Sequence, residues 1–254
     1  MIRVAAVGDI HVGPDVAGRY REQLAGLAGH ADVLLVAGDL TRHGTVAEGR
    51  IAVEELSACP VPVIAVLGNH DYHSDAQEEI TALLREAGVT VLEGDWTVLE
   101  CAGVRLGVAG GKGFGGGFAG RSAGEFGEPE MKEFVRHTRE FSERLHAALT
   151  ALDEHGADVK IALTHYSPVK DTLAGEPLEI YPFLGSYLMA EAIDRAEADL
   201  AVHGHAHRGA EKGMTAGGVR VRNVALPVIR HAYAVYSLDE TTLGRPVRSA
   251  SLSR

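Results

Sequence analysis

The segment Ile2-Arg3-Val4-Ala5-Ala6-Val7-Gly8-Asp9-Ile10-His11 decides how the rest of the chain is read. Its first part is apolar, rich in β-branched and small residues, and suits a strand buried on both faces. The run stops on glycine and hands over at once to a carboxylate and an imidazole. Residues i and i+2 of an extended segment point to the same side, so Asp9 and His11 can reach one ion together.

The same design recurs along the chain. Residues 33–37 run into Gly38-Asp39, residues 63–67 into Gly68-Asn69-His70-Asp71, and residues 161–163 into Thr164-His165. Residues 200–202 run into His203-Gly204-His205-Ala206-His207. In open α/β sheets ligands collect outside the carboxyl ends of the strands. Repeated delivery of polar groups to such ends therefore describes a site.

Helical patterns separate the early strands over residues 16–28, 45–56 and 76–87, with Ser74 placed to cap the third and Gln77 three residues on. The strongest helix follows Pro129, where Met131, Phe134, Val135, Thr138, Phe141, Leu145, Ala148, Leu149 and Leu152 recur at helical steps. Residues 96–100 and 104–109, split by Ala102-Gly103, read as a hairpin, and residues 219–225 and 232–238 as late strands. Early βα units and late strands fit an α/β fold of two packed sheets flanked by helices, expected as a single domain over residues 1–254. Two long connections, residues 110–127 and 166–182, are candidates for a wall of the active site or for surface excursions.

Composition narrows the classes. A formal net charge of −11 speaks against a broad electrostatic grip on nucleic acid, yet admits a small phosphate substrate if bound metal supplies the positive charge. No run approaches the ~20 apolar residues of a membrane span, and the first apolar run is too short for a signal segment. A soluble cytoplasmic protein is expected, with Cys59 and Cys101 reduced. Gly111-Lys112-Gly113-Phe114-Gly115-Gly116 matches a dinucleotide fingerprint by letter only, since no helix opens after it, and the residue after Lys112 excludes a P-loop.

Asp9, Asp39 and the later histidines are the chemistry. Buried carboxylates are costly unless paired or metal-bound. His205 and His207 repeat the i, i+2 spacing, and His203 shares their parity, so spacing alone leaves all three open. Asn69 and His165 offer an amide oxygen and another imidazole for a second ion. Mixed oxygen and nitrogen donors without thiolate suit Mn, Fe or Zn. Arg42, His43, Lys112, Arg121, Tyr166, Lys170 and Arg208 flank these blocks as ordinary loop residues or substrate contacts.

Taken in order, Asp9-Ile10-His11, Gly38-Asp39, Gly68-Asn69-His70-Asp71, His165 and Gly204-His205-Ala206-His207 resemble the calcineurin-like metallophosphoesterase superfamily. The resemblance implies a four-layer α-β-β-α sandwich with two metal ions, divalent or trivalent, at the C-terminal strand ends. It implies Asp9, His11, Asp39 and His207 around one ion and Asp39, Asn69, His165 and His205 around the other, with Asp39 bridging. It further implies attack on phosphorus by a hydroxide between the metals, with His70 assisting the leaving group and Asp71 orienting or charge-stabilising His70. The expected substrate is a small phosphodiester or nucleotide. The alternatives are a metal-dependent nuclease and a non-catalytic scaffold of the same fold. His165-Tyr166-Ser167-Pro168 departs from the His-His-Pro-Pro form of some cyclic-nucleotide phosphodiesterases, which weakens that specific assignment.

Overall fold

The computed structural model describes residues 1–101 and 103–239. One sheet carries, in spatial order, β13 (Ala234–Leu238), β1 (Ile2–Val7), β2 (Val33–Ala37), β3 (Val63–Val66) and β4 (Thr90–Leu92). The other carries β11 (Lys212–Met214), β12 (Arg220–Asn223), β10 (Leu200–His203), β9 (Val159–Thr164), β6 (Val104–Gly111) and β5 (Asp95–Cys101). A short ribbon, β7 (Gly117–Phe118) with β8 (Arg121–Ser122), stands apart. The inner strands of both sheets pair in parallel, and antiparallel β13, β11 and β5 close three of the four edges.

The helices are α1 (Arg21–Ala25), α2 (Val46–Leu56), α3 (Gln77–Glu86), α4 (Pro129–Glu154), α5 (Tyr181–Leu184), α6 (Tyr187–Arg195) and α7 (Leu226–Ile229). Strand alternation assigns the layers. Val4, Ala6, Leu35, Ile64 and Val66 meet Leu106, Val108, Ile161, Leu163 and Val202 between the sheets. Their neighbours Ala5, Val7, Leu34 and Val36 face Leu24, Ala52, Leu56, Ile80 and Leu84 of α1 to α3. On the far side, Ala109, Ala162 and Ala201 pack under Phe141, Leu145, Leu149, Met189 and Ile193 of α4 and α6. The result is the four-layer α-β-β-α sandwich. Fully burying each large aliphatic side chain contributes about 1.5–3 kcal/mol.

Local chemistry corrects some expectations. The helix expected over residues 16–28 shrinks to α1, whose start is delayed because Gly18 adopts φ of +81°. Ser74 does not cap α3; its hydroxyl donates to the His43 carbonyl at 2.6 Å, and the residue at the cap is Ala76. Thr45 does cap α2, in a reciprocal capping box with Glu48. Within α4, Met131 stays 40% exposed, so the buried stripe starts at Val135. The expected split of the β5–β6 hairpin includes Ala102, which lies outside the described residues. No helix among the described residues is long and apolar enough to cross a membrane.

Candidate metal centre

The C-terminal ends of β1, β2 and β3 in one sheet meet those of β9 and β10 in the other. Two groups of side chains converge there. Asp9, His11, Asp39 and His207 each offer a donor atom within 4.8 Å of the others, and so do Asp39, His165 and His205. Asp39 belongs to both. Its Oδ2 lies 3.7 Å from Nε2 of His11, and its Oδ1 lies 3.4 Å from Nε2 of His165. Asn69 joins the second group, its Oδ1 2.9 Å from His165 Nε2. In the first, His207 Nε2 is 2.9 Å from Asp9 Oδ1 and 3.5 Å from His11 Nε2.

Tight backbone turns make this convergence possible. Asp9, His11, Asp39 and His205 adopt φ of 58°, 44°, 50° and 69°, a left-handed region costing non-glycine residues about 1–3 kcal/mol each. The loops after β1 and β2 hold one another there: Asp9 N–H donates to the Gly38 carbonyl at 2.9 Å, and His11 N–H to the Asp39 carbonyl at 3.0 Å. Close approach explains two glycines. A Cβ on Gly68 would sit 2.1 Å from Asp39 Oδ1, and one on Gly204 2.3 Å from Asp9 Oδ2.

The electrostatics match a cation site. Asp9 and Asp39 are each 1% exposed. Burial, then the neighbouring Asp9 and Asp71 carboxylates, push the Asp39 carboxyl up to about 9. Burial holds His11 down at about 4, His205 at about 3, and His165 well below its ordinary value. His207 is raised, chiefly by its hydrogen bond to Asp9. His165 Nδ1 donates to the Ala37 carbonyl at 2.8 Å, so in the neutral ring Nε2 bears a lone pair. That lone pair, the Asn69 amide oxygen and an Asp39 oxygen then converge with no N–H group pointing between them. A metal ion is the partner such a donor set fits. His205 repeats the device, donating from Nε2 to the Phe183 carbonyl at 3.3 Å and leaving Nδ1 as its donor atom.

His203, whose spacing left it open, turns away. Its Nδ1 donates to the Gly204 carbonyl at 2.7 Å and its Nε2 accepts from the Thr172 hydroxyl at 2.8 Å, in full burial. His70 lies at the rim, Nε2 4.0 Å from Asp39 Oδ2, with Nδ1 donating to the Arg42 carbonyl at 2.7 Å. Asp71, expected beside that ring, is engaged elsewhere. Its carboxylate accepts from Gly68 N–H (2.8 Å), Leu40 N–H (3.2 Å), and the backbone N–H (2.8 Å) and hydroxyl (2.6 Å) of Thr41. It ties the loop after β3 to the loop after β2. Thr41 and Thr172, which position other residues, carried no signal in the sequence.

Both long connections reach the centre. Tyr166 packs on His205 with ring centroids 4.3 Å apart, and the Lys112 carbonyl accepts from His165 N–H and Tyr166 N–H, each at 3.0 Å. Arg42 turns outward to Asp15 at 2.8 Å, His43 pairs with Glu48 at 3.0 Å, and Arg208 N–H donates to Glu176 at 2.7 Å.

A family model for calcineurin-like phosphoesterases matches residues 2–209. No curated protein matches the sequence. Among solved structures, a phosphopantetheinyl hydrolase from Mycobacterium tuberculosis superposes with a TM-score of 0.62 at 18% identity, over 89% of this chain and 90% of that one. A Staphylococcus aureus protein described as a 5′-nucleotidase gives 0.56 at 18%, over 94% of this chain and 51% of that one. The anchor of the inner membrane complex of Plasmodium gives 0.55 at 12%, over 89% and 72%. At these identities the likeness is one of fold.

Proposed function

The chain belongs to the calcineurin-like phosphoesterase family, and from that premise we propose that it hydrolyses a small phosphate ester, a phosphodiester or a nucleotide, with the help of two metal ions. Asp9, His11, Asp39 and His207 would hold one ion, and Asp39, Asn69, His165 and His205 the other. The observation that carries this reading is the Asp39 carboxylate, whose two oxygens face different groups of donors. Manganese, iron or zinc suits the mixed oxygen and nitrogen set.

When bound, such a pair supplies positive charge to the phosphate oxygens and makes a water acidic enough to attack phosphorus. The chain's own residues do the rest. Asp9 is held in place by His205 N–H, which donates to both its oxygens at 3.1 and 3.0 Å. Asp39 is held by His70 N–H at 2.8 Å. The Arg42 carbonyl fixes His70 with Nδ1–H outward and Nε2 toward the cluster. A proton carried on Nε2 is then positioned to pass to the departing oxygen. Asp71 acts on His70 indirectly, through the loop that both residues share.

The net charge of −11 supports a small substrate over a nucleic acid. The full donor set supports an enzyme over a scaffold, although one structure of the same fold is an anchor. A cytoplasmic location is part of the proposal, in keeping with Cys59 and Cys101 being free. So is a single domain, supported by the core shared between the two sheets. A screen of aryl phosphate mono- and diesters against added Mn, Fe and Zn tests the proposal. Metal-dependent release of the aryl alcohol is expected; a metal-loaded protein inert to every ester would return the scaffold.

A further inference from the structure

Lys112 follows directly on the end of β6, at the mouth of the metal centre. Its carbonyl anchors the loop that carries His165. Its side chain is enclosed by rings: Nζ lies 5.0 Å from the ring centre of Tyr72, 5.1 Å from that of Phe114 and 5.4 Å from that of Tyr166. The last of these rings rests on His205. The ammonium's one hydrogen bond among the described residues is long, 3.5 Å to the Gly113 carbonyl. Burial lowers the ammonium below its ordinary value, and the carboxylates of Glu93 and then Asp39 offset part of that.

Lys160 shows what a structural buried lysine looks like here. Its Nζ donates to Asp153 at 2.8 Å and to the Ala196 carbonyl at 2.6 Å. Lys112 has no such partners. Rings return part of the cost of stripping water from an ammonium, but they leave its three protons without strong acceptors. A pre-positioned cation with no carboxylate in contact among the described residues, beside a centre suited to phosphate, points to a bound anion.

We propose that Lys112 is a substrate-binding residue whose ammonium takes an anionic oxygen of the substrate's phosphate at the rim of the metal centre. This rests on the phosphoesterase reading and names a group that would recognise the phosphate besides the metals. It assigns the aromatic surround a purpose, since Tyr72, Phe114 and Tyr166 flank the ammonium on several sides.

The test uses the metal-loaded full chain and inorganic phosphate as the probe, so that it does not depend on turnover. Lys112→Gln is expected to weaken phosphate binding by about 10- to 100-fold, the worth of a charge-assisted hydrogen bond. Where an aryl ester is turned over, KM rises by a similar factor while kcat changes much less. Phosphate affinity within twofold of wild type overturns the proposal. A second measurement needs no variant: phosphate should slow acylation of Lys112 in the wild-type protein, read by peptide mass spectrometry against the exposed Lys132 and Lys212. Equal labelling with and without phosphate overturns it too. Absence of ester hydrolysis alone would count against the phosphoesterase reading and leave both phosphate measurements decisive for Lys112.

Discussion

Asp39 reaches His165 across the junction of the two sheets, its Oδ1 lying 3.4 Å from the imidazole Nε2. Asp39 follows β2 and His165 follows β9, so the contact exists only when the sheets are packed. The other oxygen of the same carboxylate looks toward His11. A side chain with both faces engaged couples the sandwich to the proposed centre, and its removal should be felt by both groups of donors.

Replacing Asp39 by Asn is therefore expected to lower metal content from two ions per chain to one or none. Replacing Asn69 by Ala touches only the second group and should spare the first ion. Metal analysis of the purified variants distinguishes the two patterns.

Metal loading should release protons in a pH-dependent way. Without a cation, the Asp39 carboxyl is held up at about 9 and keeps its proton at neutral pH. Binding needs the Asp39 carboxylate and the His207 lone pair, and the hydrogen bond to Asp9 raises His207, so protons leave from both residues near neutral pH, and the Asp39 release fades as pH rises through about 9. His11 and His205, at about 4 and about 3, are already neutral and contribute none. The same shift makes Asp39 a source of stability in the metal-free protein at low pH that is lost as pH rises through its folded value. Calorimetric titration in buffers of different ionisation enthalpy reads the proton count.

His70→Ala should keep its metal and lose turnover by about a hundred- to ten-thousand-fold, the usual worth of a positioned acid or base. A metal-loaded variant with full activity would remove His70 from the mechanism.

Asp71→Ala should act through structure. It strips acceptors from Gly68, Leu40 and Thr41 in a fully buried place, at about 1–3 kcal/mol for each donor left unmet. Expected are a lower Tm and weaker metal retention together. By contrast Thr45→Ala, which removes only the cap of α2, should cost about 1 kcal/mol and leave activity intact.

The fold was legible where periodicity and chemistry coincided. The buried runs ending at Gly8, Gly38 and Gly68 announce parallel strands because each changes abruptly from apolar to ligand-bearing. The apolar run over residues 161–163 falls three residues short of β9, two of them at its start, where Lys160 breaks the run although its stem is buried and its ammonium bonds outside the sheet. Three-residue β4 and β11 are too brief to show a period. The convergence of Asp9 with His207 could be argued from motif order. The work of Asp71 could not, because its partners are mostly backbone N–H groups that no side-chain pattern records. Lys112 was visible as a residue, but only the three rings around it give it meaning.

The most direct test is an anomalous-scattering map from crystals grown with Mn. Two peaks flanking the Asp39 carboxylate are predicted, one beside His11 and His207 and the other beside Asn69, His165 and His205. A single peak, or a pair that Asp39 does not separate, would contradict the shared two-metal centre.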